Sequence, residues 1–262
     1  MGLVSLNLES IYLHKNTNVS VLLPYCPREG ITPEEFYDSG RKYKVLWLLH
    51  GFYGDNTDWI RKSMVEYYAA KKDLIVVMPD GMNSFYLNLE QMNYMHVKDY
   101  ILEELMPMIF NWFPASAKPE DNYIAGLSMG GLGVLNLVLS APERFNRAAV
   151  LSYAPIDFKD PEEVAANERM MINYRASYPD MESLLASKDN VFDYIKTLHD
   201  EGVRLPELYF SIGKQDGMYQ RYLRFKKYLT DSGIEAEFSE TDGYAHDWDF
   251  WDIEIRKFIE RI

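Results

Sequence analysis

The sequence predicts an α/β protein: a mostly parallel central sheet with helices on both faces. Short β-branched and apolar runs alternate with longer stretches of helical spacing. Several of those runs are apolar almost throughout, as in strands buried on both faces. Internal repeats and low-complexity tracts are absent, and 262 residues suffice for a full core, so residues 1–262 are expected to form one domain.

In chain order, Asn18 to Pro24 (NVSVLLP) reads as a strand, and Pro24 to Gly40, with its Pro, Gly and charges, as a loop. Lys44 to His50 (KVLWLLH) is a buried strand ending at Gly51, Thr57 to Lys71 a helix, and Leu74 to Pro79 a second buried strand. Val97 to Trp112 has apolar residues at helical spacing. Asn122 to Leu127 (NYIAGL) is a strand, followed by a helix from about Met129 to Ser140 and a strand at Ala148 to Tyr153. From Ala154 to about Leu205 the pattern loosens without a clear strand, which suggests a helical excursion or partial cap over 154–205. The strand Glu207 to Gly213 resumes the sheet, then come a helix to about Asp231, a strand at Glu235 to Glu240 and an amphipathic helix from about Trp248 to Ile262.

Composition removes several classes of function. With 40 Asp+Glu against 27 Lys+Arg, a formal charge of -13, the chain would repel nucleic acid. Its single cysteine, Cys26, cannot close an internal disulfide, and no Cys/His cluster has metal-ligand spacing, so metal: none is the expectation. The opening MGLVSLNLES lacks the basic and apolar regions of a signal peptide. Position six is Leu6 rather than the Ser or Thr of a myristoylation pattern, and no apolar run is long enough to span a bilayer. A soluble cytoplasmic protein without membrane partners is expected. Oligomeric state is left open, a homo-oligomer included.

The chemistry concentrates at Gly126-Leu127-Ser128-Met129-Gly130, a G-x-S-x-G sequence. Chance alone gives this pattern in roughly one sequence of this length in ten, at ordinary glycine and serine frequencies. Context makes it specific, because it lies between an apolar strand and a helix. Small flanking residues there allow a sharp turn that exposes the serine Oγ, whereas the plain alternative is a helix N-cap.

A serine hydroxyl needs a general base, itself oriented by a carboxylate. Asp216 follows the strand ELYFSIG and His246 follows the strand at 235–240, both on the sheet edge reached by Ser128. Asp242 and Asp247 are rivals to Asp216, but both are too close in sequence to His246 to come from a separate strand end. His14 and His199 have surface-like settings and His96 lies near a helix start. An oxyanion needs two N–H donors, for which Met129 and, on the loop His50-Gly51-Phe52-Tyr53-Gly54, Phe52 are the candidates. His50 is then a residue that shapes this loop rather than a proton carrier. The aromatics Tyr53, Phe85, Tyr86 and Trp248, on or beside strand-end loops, are candidate walls of a substrate pocket.

The segments VSVLLP, LWLLHGFYGDNTDW, VVMPDGMNSFY, GLSMGGLGVLNL, GKQD and HDWDFW together resemble the esterase D and tributyrin-esterase-like branch of the α/β hydrolases. That branch is similar to feruloyl and acetylxylan esterases and to S-formylglutathione hydrolase. The resemblance covers Val19 to Phe258. It implies an α/β-hydrolase fold and a serine carboxylesterase without cofactor, and the aromatics expected at the mouth favour small-molecule esters with acetyl, butyryl or feruloyl-type acyl groups. It also implies Ser128, Asp216 and His246 as triad, with Phe52 and Met129 as oxyanion donors. One departure is the loop His50-Gly51-Phe52, where S-formylglutathione hydrolases proper carry a Cys-containing Ser-Gly-Leu-Thr-Cys segment. An acyltransferase or S-formylglutathione-type thioesterase with the same triad, a peptidase, and an inactive hydrolase fold used for binding are the alternatives.

Overall fold

A computed structural model describes residues 1–262. Its main sheet has eight strands: β1 (Gly2–Ser10), β2 (Lys15–Leu23), β3 (Val45–Leu49), β4 (Ile75–Pro79), β7 (Asn122–Leu127), β8 (Arg147–Leu151), β9 (Glu207–Gly213) and β10 (Glu237–Thr241). A separate pair, β5 (Asn88–Leu89) and β6 (Met95–His96), forms a small antiparallel ribbon. The order across the main sheet is β1-β2-β4-β3-β7-β8-β9-β10. From β4 to β10 every neighbouring pair is parallel, while β2 runs antiparallel to both β1 and β4.

Along β3, Val45, Trp47 and Leu49 face one core and Leu46 and Leu48 the other, the period-two division of a strand buried on both sides. The larger core lies under α4 (Val97–Asp99), its π-helical continuation (Tyr100–Leu105), α5 (Met106–Trp112) and α6 (Met129–Ser140), among others. On the opposite face α2 (Asp58–Lys62), α3 (Val65–Ala70) and α12 (Trp248–Glu260) cover the smaller core with Trp59, Val65, Phe250 and Phe258. Buried polar groups are matched where β7 begins. The Trp47 indole donates to Asn122 Oδ1 at 3.0 Å, and Asn122 Nδ2 donates to the carbonyls of Ser116 and Lys118. An unmet buried group would cost about 1–3 kcal/mol.

Several local expectations are refined. The first strand, β1, was not anticipated; Val4, Leu6 and Leu8 alternate inward against exposed Leu3, Ser5, Asn7 and Glu9. The expected 24–40 loop contains the short helix α1 (Pro33–Tyr37), started by a capping box in which Thr32 and Glu35 bond reciprocally. The helix expected over 57–71 breaks at Ser63, which is extended, and Asp252 takes the freed Met64 N–H at 2.7 Å. The 154–205 segment is helical: α7 (Pro161–Ala166), α8 (Glu168–Ser177), α9 (Met181–Leu185) and α10 (Val191–Asp200). The last helix before β10 is α11 (Tyr219–Asp231).

Strand order also fixes where a site can form. From β3 the chain passes to β4 on one side, and later to β7 on the other, so the loops leaving β3 and β7 diverge over the carboxyl edge of the sheet. Such a switch point is where open parallel sheets form a crevice.

Candidate active site

Ser128 sits between β7 and α6 with φ 51° and ψ -116°. A non-glycine residue held there stores roughly 1–3 kcal/mol of strain, and the structure fixes it from several sides. Its N–H donates to Leu151 O at 2.8 Å, continuing the β7–β8 ladder, and its carbonyl accepts from Gly131 at 2.9 Å. The glycines permit the tight turn. A β-carbon on Gly126 would lie 2.3 Å from Gly130 O, and one on Gly130 would lie 2.5 Å from Leu49 O. Both approaches are to backbone, which cannot move aside as a side chain can.

From this turn the Ser128 hydroxyl meets His246 Nε2 at 2.9 Å, and His246 Nδ1 meets Asp216 Oδ2 at 2.7 Å. The other Asp216 oxygen accepts from Met218 N–H at 2.8 Å, and the Asp216 side chain is 1% exposed against 35% for His246. Residues far apart in sequence thus form one hydrogen-bonded line. The loops after β9 and β10 are laced together: Lys214 N–H donates to Thr241 O and Gln215 N–H to Tyr244 O, and a β-carbon on Gly213 would lie 2.2 Å from Tyr244 O. Trp251, on the first turn of α12, packs edge-on against the His246 ring at 5.0 Å. The rival carboxylates have other work. Asp242 accepts from Gln215 Nε2, and Asp247 caps α12 by accepting from Phe250 N–H at 3.0 Å.

The loop after β3 stands beside Ser128; a β-carbon on Gly51 would lie 3.6 Å from Ser128 Cβ. His50 is buried there, with Nε2 accepting from Gly81 N–H and Nδ1 placed to donate to Gly51 O, each at 2.8 Å. An Nε2 that accepts from an amide carries no proton, so the imidazole is neutral and its 3.6 Å approach to Asp80 is not an ion pair. The Phe52 and Met129 N–H groups donate to no acceptor within the protein. Two orphan amides beside a serine hydroxyl are the donor set that an oxyanion requires.

Of the four aromatics expected at the mouth, two stand near the orphan amides. Phe85 stacks on Phe52 with centroids 5.5 Å apart, and Tyr53, at φ 65°, is 73% exposed beside Phe52. Tyr86 does not reach the cleft. It is fully buried, its hydroxyl donates to His50 O at 3.1 Å, and its ring occupies the space a β-carbon on Gly133 would need. Burial pushes that hydroxyl well above the ordinary tyrosine range. Trp248 packs into the smaller core, edge-on to Trp59 at 5.2 Å and to Trp251 at 5.3 Å.

The sequence reading missed several neighbours. Asn83 Oδ1 accepts from Tyr53 N–H, and Asn173 of α8 donates to Asn83 O, which ties the excursion to the loop after β3. Arg169, also on α8, lies 4.9 Å from the Phe52 ring centroid and 5.1 Å from that of Tyr53. Buried Arg221 donates to Asn167 Oδ1 and to the sulfur of Met218, joining α7 and α8 to the Asp216 loop. No local pattern announces these contacts; the only hint was the loose, strandless stretch itself. A cavity of about 1120 Å³ lies at the other end of the sheet, among Arg147, Glu207 and Glu237 at the starts of β8, β9 and β10. No three His, Cys, Asp or Glu side chains are grouped to hold a metal ion, and no helix is long and apolar enough to cross a membrane.

Comparison with known proteins finds esterases. An esterase family model, described as "Putative esterase", matches residues 10–257. An acetyl esterase of Caldicellulosiruptor saccharolyticus is 28% identical over 263 residues, covering 99% of this chain and 97% of that protein. A Staphylococcus aureus S-formylglutathione hydrolase structure is 29% identical with a TM-score of 0.83, covering 99% and 98% of the two chains. A ferulic acid esterase of Anaeromyces mucronatus shares the fold at 16% identity and a TM-score of 0.67, over 99% of this chain and 89% of that one. The chain belongs to the esterase family of α/β hydrolases and is a hydrolase of carboxylic esters.

Proposed function

We propose that the protein hydrolyses short-chain or aromatic carboxylic esters through an acyl-enzyme on Ser128, with His246 as general base and acid and Asp216 as its orienting carboxylate. The observation that carries this is the unbroken line from Ser128 Oγ through His246 to Asp216, with links of 2.9 and 2.7 Å. In the first step Oγ attacks the ester carbonyl as its proton passes to His246 Nε2. Asp216 stabilises the imidazolium, and the orphan Phe52 and Met129 amides receive the developing oxyanion. Collapse of the tetrahedral intermediate expels the alkoxide, which takes the proton from Nε2. A water then surrenders a proton to the same nitrogen and attacks the acyl group, and collapse of the second tetrahedral intermediate returns that proton from Nε2 to Ser128 Oγ as the carboxylic acid is released.

Phe52 and Phe85 offer flat apolar walls for a small acyl group, and the acetyl esterase relative supports that range. A second reading, thioester hydrolysis by the same groups, is supported by the S. aureus S-formylglutathione hydrolase likeness along nearly the whole chain. The test is a panel of acetyl, butyryl and feruloyl esters with S-formylglutathione. Release of nitrophenol from the acetate and butyrate esters by wild type, and none by Ser128→Ala, is expected. Equal rates for wild type and variant would remove Ser128 from the chemistry.

A further inference from the structure

Resting on the esterase reading above, we propose that the site prefers esters whose alcohol half carries a carboxylate, and that Arg169 is the side chain that recognises it. Arg169 projects from α8 onto the two aromatics of the oxyanion loop, 4.9 Å from the centroid of Phe52 and 5.1 Å from that of Tyr53. Its nearest carboxylate in sequence, Glu168, is engaged by both terminal nitrogens of Arg175. Arg169 forms no ion pair, like Arg28, Arg61 and Arg204 and unlike the other eight arginines, and of these four it is the one that lies over Phe52 and Tyr53. In a chain of formal charge -13, a cation without an ion-pair partner over the aromatics of the Phe52 loop is a local reversal of sign.

The contact with two rings shapes what the cation can do. The Arg169 guanidinium carbon lies 4.9 and 5.1 Å from the ring centroids, and the planar fork of a guanidinium matches a carboxylate. Holding the group on Phe52 and Tyr53 also removes part of the side-chain entropy cost of binding. The position selects the alcohol half. Arg169 is exposed, at the outer rim, whereas Phe85 is buried beneath Phe52. The acyl group stays on Ser128 after the first step while the alcohol departs towards solvent, past the rim. A carboxylate there pairs with Arg169 in the Michaelis complex.

The experiment compares 4-acetoxybenzoate with 4-acetoxybenzamide, which share the acetyl group and nearly the same leaving group but differ in charge. The readout is the ratio of kcat/KM for the anionic to the neutral ester. Arg169→Gln should lower that ratio about two- to fivefold, mostly through KM, the size expected of one exposed charge pair. Arg169→Lys should retain part of the preference, and raising salt from about 10 to 500 mM should erode it in wild type but not in Arg169→Gln. An unchanged ratio, whether both esters slow together or neither does, would overturn the proposal while leaving the esterase reading intact. Failure of wild type to cleave either ester would instead overturn the esterase reading, and this inference with it.

Discussion

Replacing Asp216 by Asn removes one charge and leaves size almost unaltered, so it isolates what the carboxylate does. Asp216 accepts two hydrogen bonds, from Met218 N–H at 2.8 Å on one oxygen and from His246 Nδ1 at 2.7 Å on the other. An Asn side chain has one carbonyl oxygen. If it stays on Met218 N–H, the amide NH₂ faces His246 Nδ1 and donates to it. The imidazole proton then moves to Nε2, which can no longer accept from Ser128. The flipped amide would instead face the Met218 N–H donor to donor, in a side chain only 1% exposed. Either way the base is lost, and kcat should fall about 10³–10⁴-fold, or about 4–5.5 kcal/mol. Folding should survive, with Tm lowered by a few degrees for one weakened bond. Asp247→Asn is the control. Asp and Asn cap helices about equally well, so activity and Tm should stay near wild type. Steady-state hydrolysis of a nitrophenyl ester with thermal denaturation reads both effects. An Asp216→Asn enzyme within tenfold of wild type, or an equal loss in Asp247→Asn, would refute the assignment of the acid.

Other perturbations follow from the same contacts. Ser128→Gly and Ser128→Ala should both be inactive, but the glycine variant should be about 1 kcal/mol more stable in denaturant titration, because φ 51° suits glycine; equal stability would mean the turn stores no strain. Gly130→Ala drives a β-carbon to 2.5 Å from Leu49 O and should cost about 1–3 kcal/mol and most activity, whereas Gly217→Ala, with nothing within 4 Å, should be neutral by both measures. Asn83→Ala deletes the acceptor of Tyr53 N–H and should lower kcat for a small neutral ester roughly tenfold, with little change in Tm, as the loop carrying Phe52 loosens. A kcat equal to wild type would show that the loop holds its shape without that bond.

The three residues of the proposed triad were legible because each is set by its own neighbourhood in the chain: a strand, its end, and the residue just beyond. Ser128, Asp216 and His246 needed only the count and order of strands, and the period-two and continuous apolar runs supplied those. The alternation Val4, Leu6, Leu8 carried an equally clear period-two signal for β1, although the sequence reading began its strands at Asn18. The walls of the site obey no such rule. Phe85 and Tyr86 are adjacent, and both take φ 56°, so neither the alternation of a strand nor the spacing of a helix says which ring turns to the cleft. Trp248 and Trp251 share one face of α12, yet only Trp251 meets His246; that contact depends on how the helix docks against the loop after β10. Arg169, Asn173 and Arg221 reach the site from helices whose placement is decided by the larger core. Reaction type is thus written locally, in strand ends, whereas substrate preference is written in packing between distant segments. Residues of the second kind can change while the first remain, so the ester a relative cleaves predicts the reaction of this chain better than its substrate.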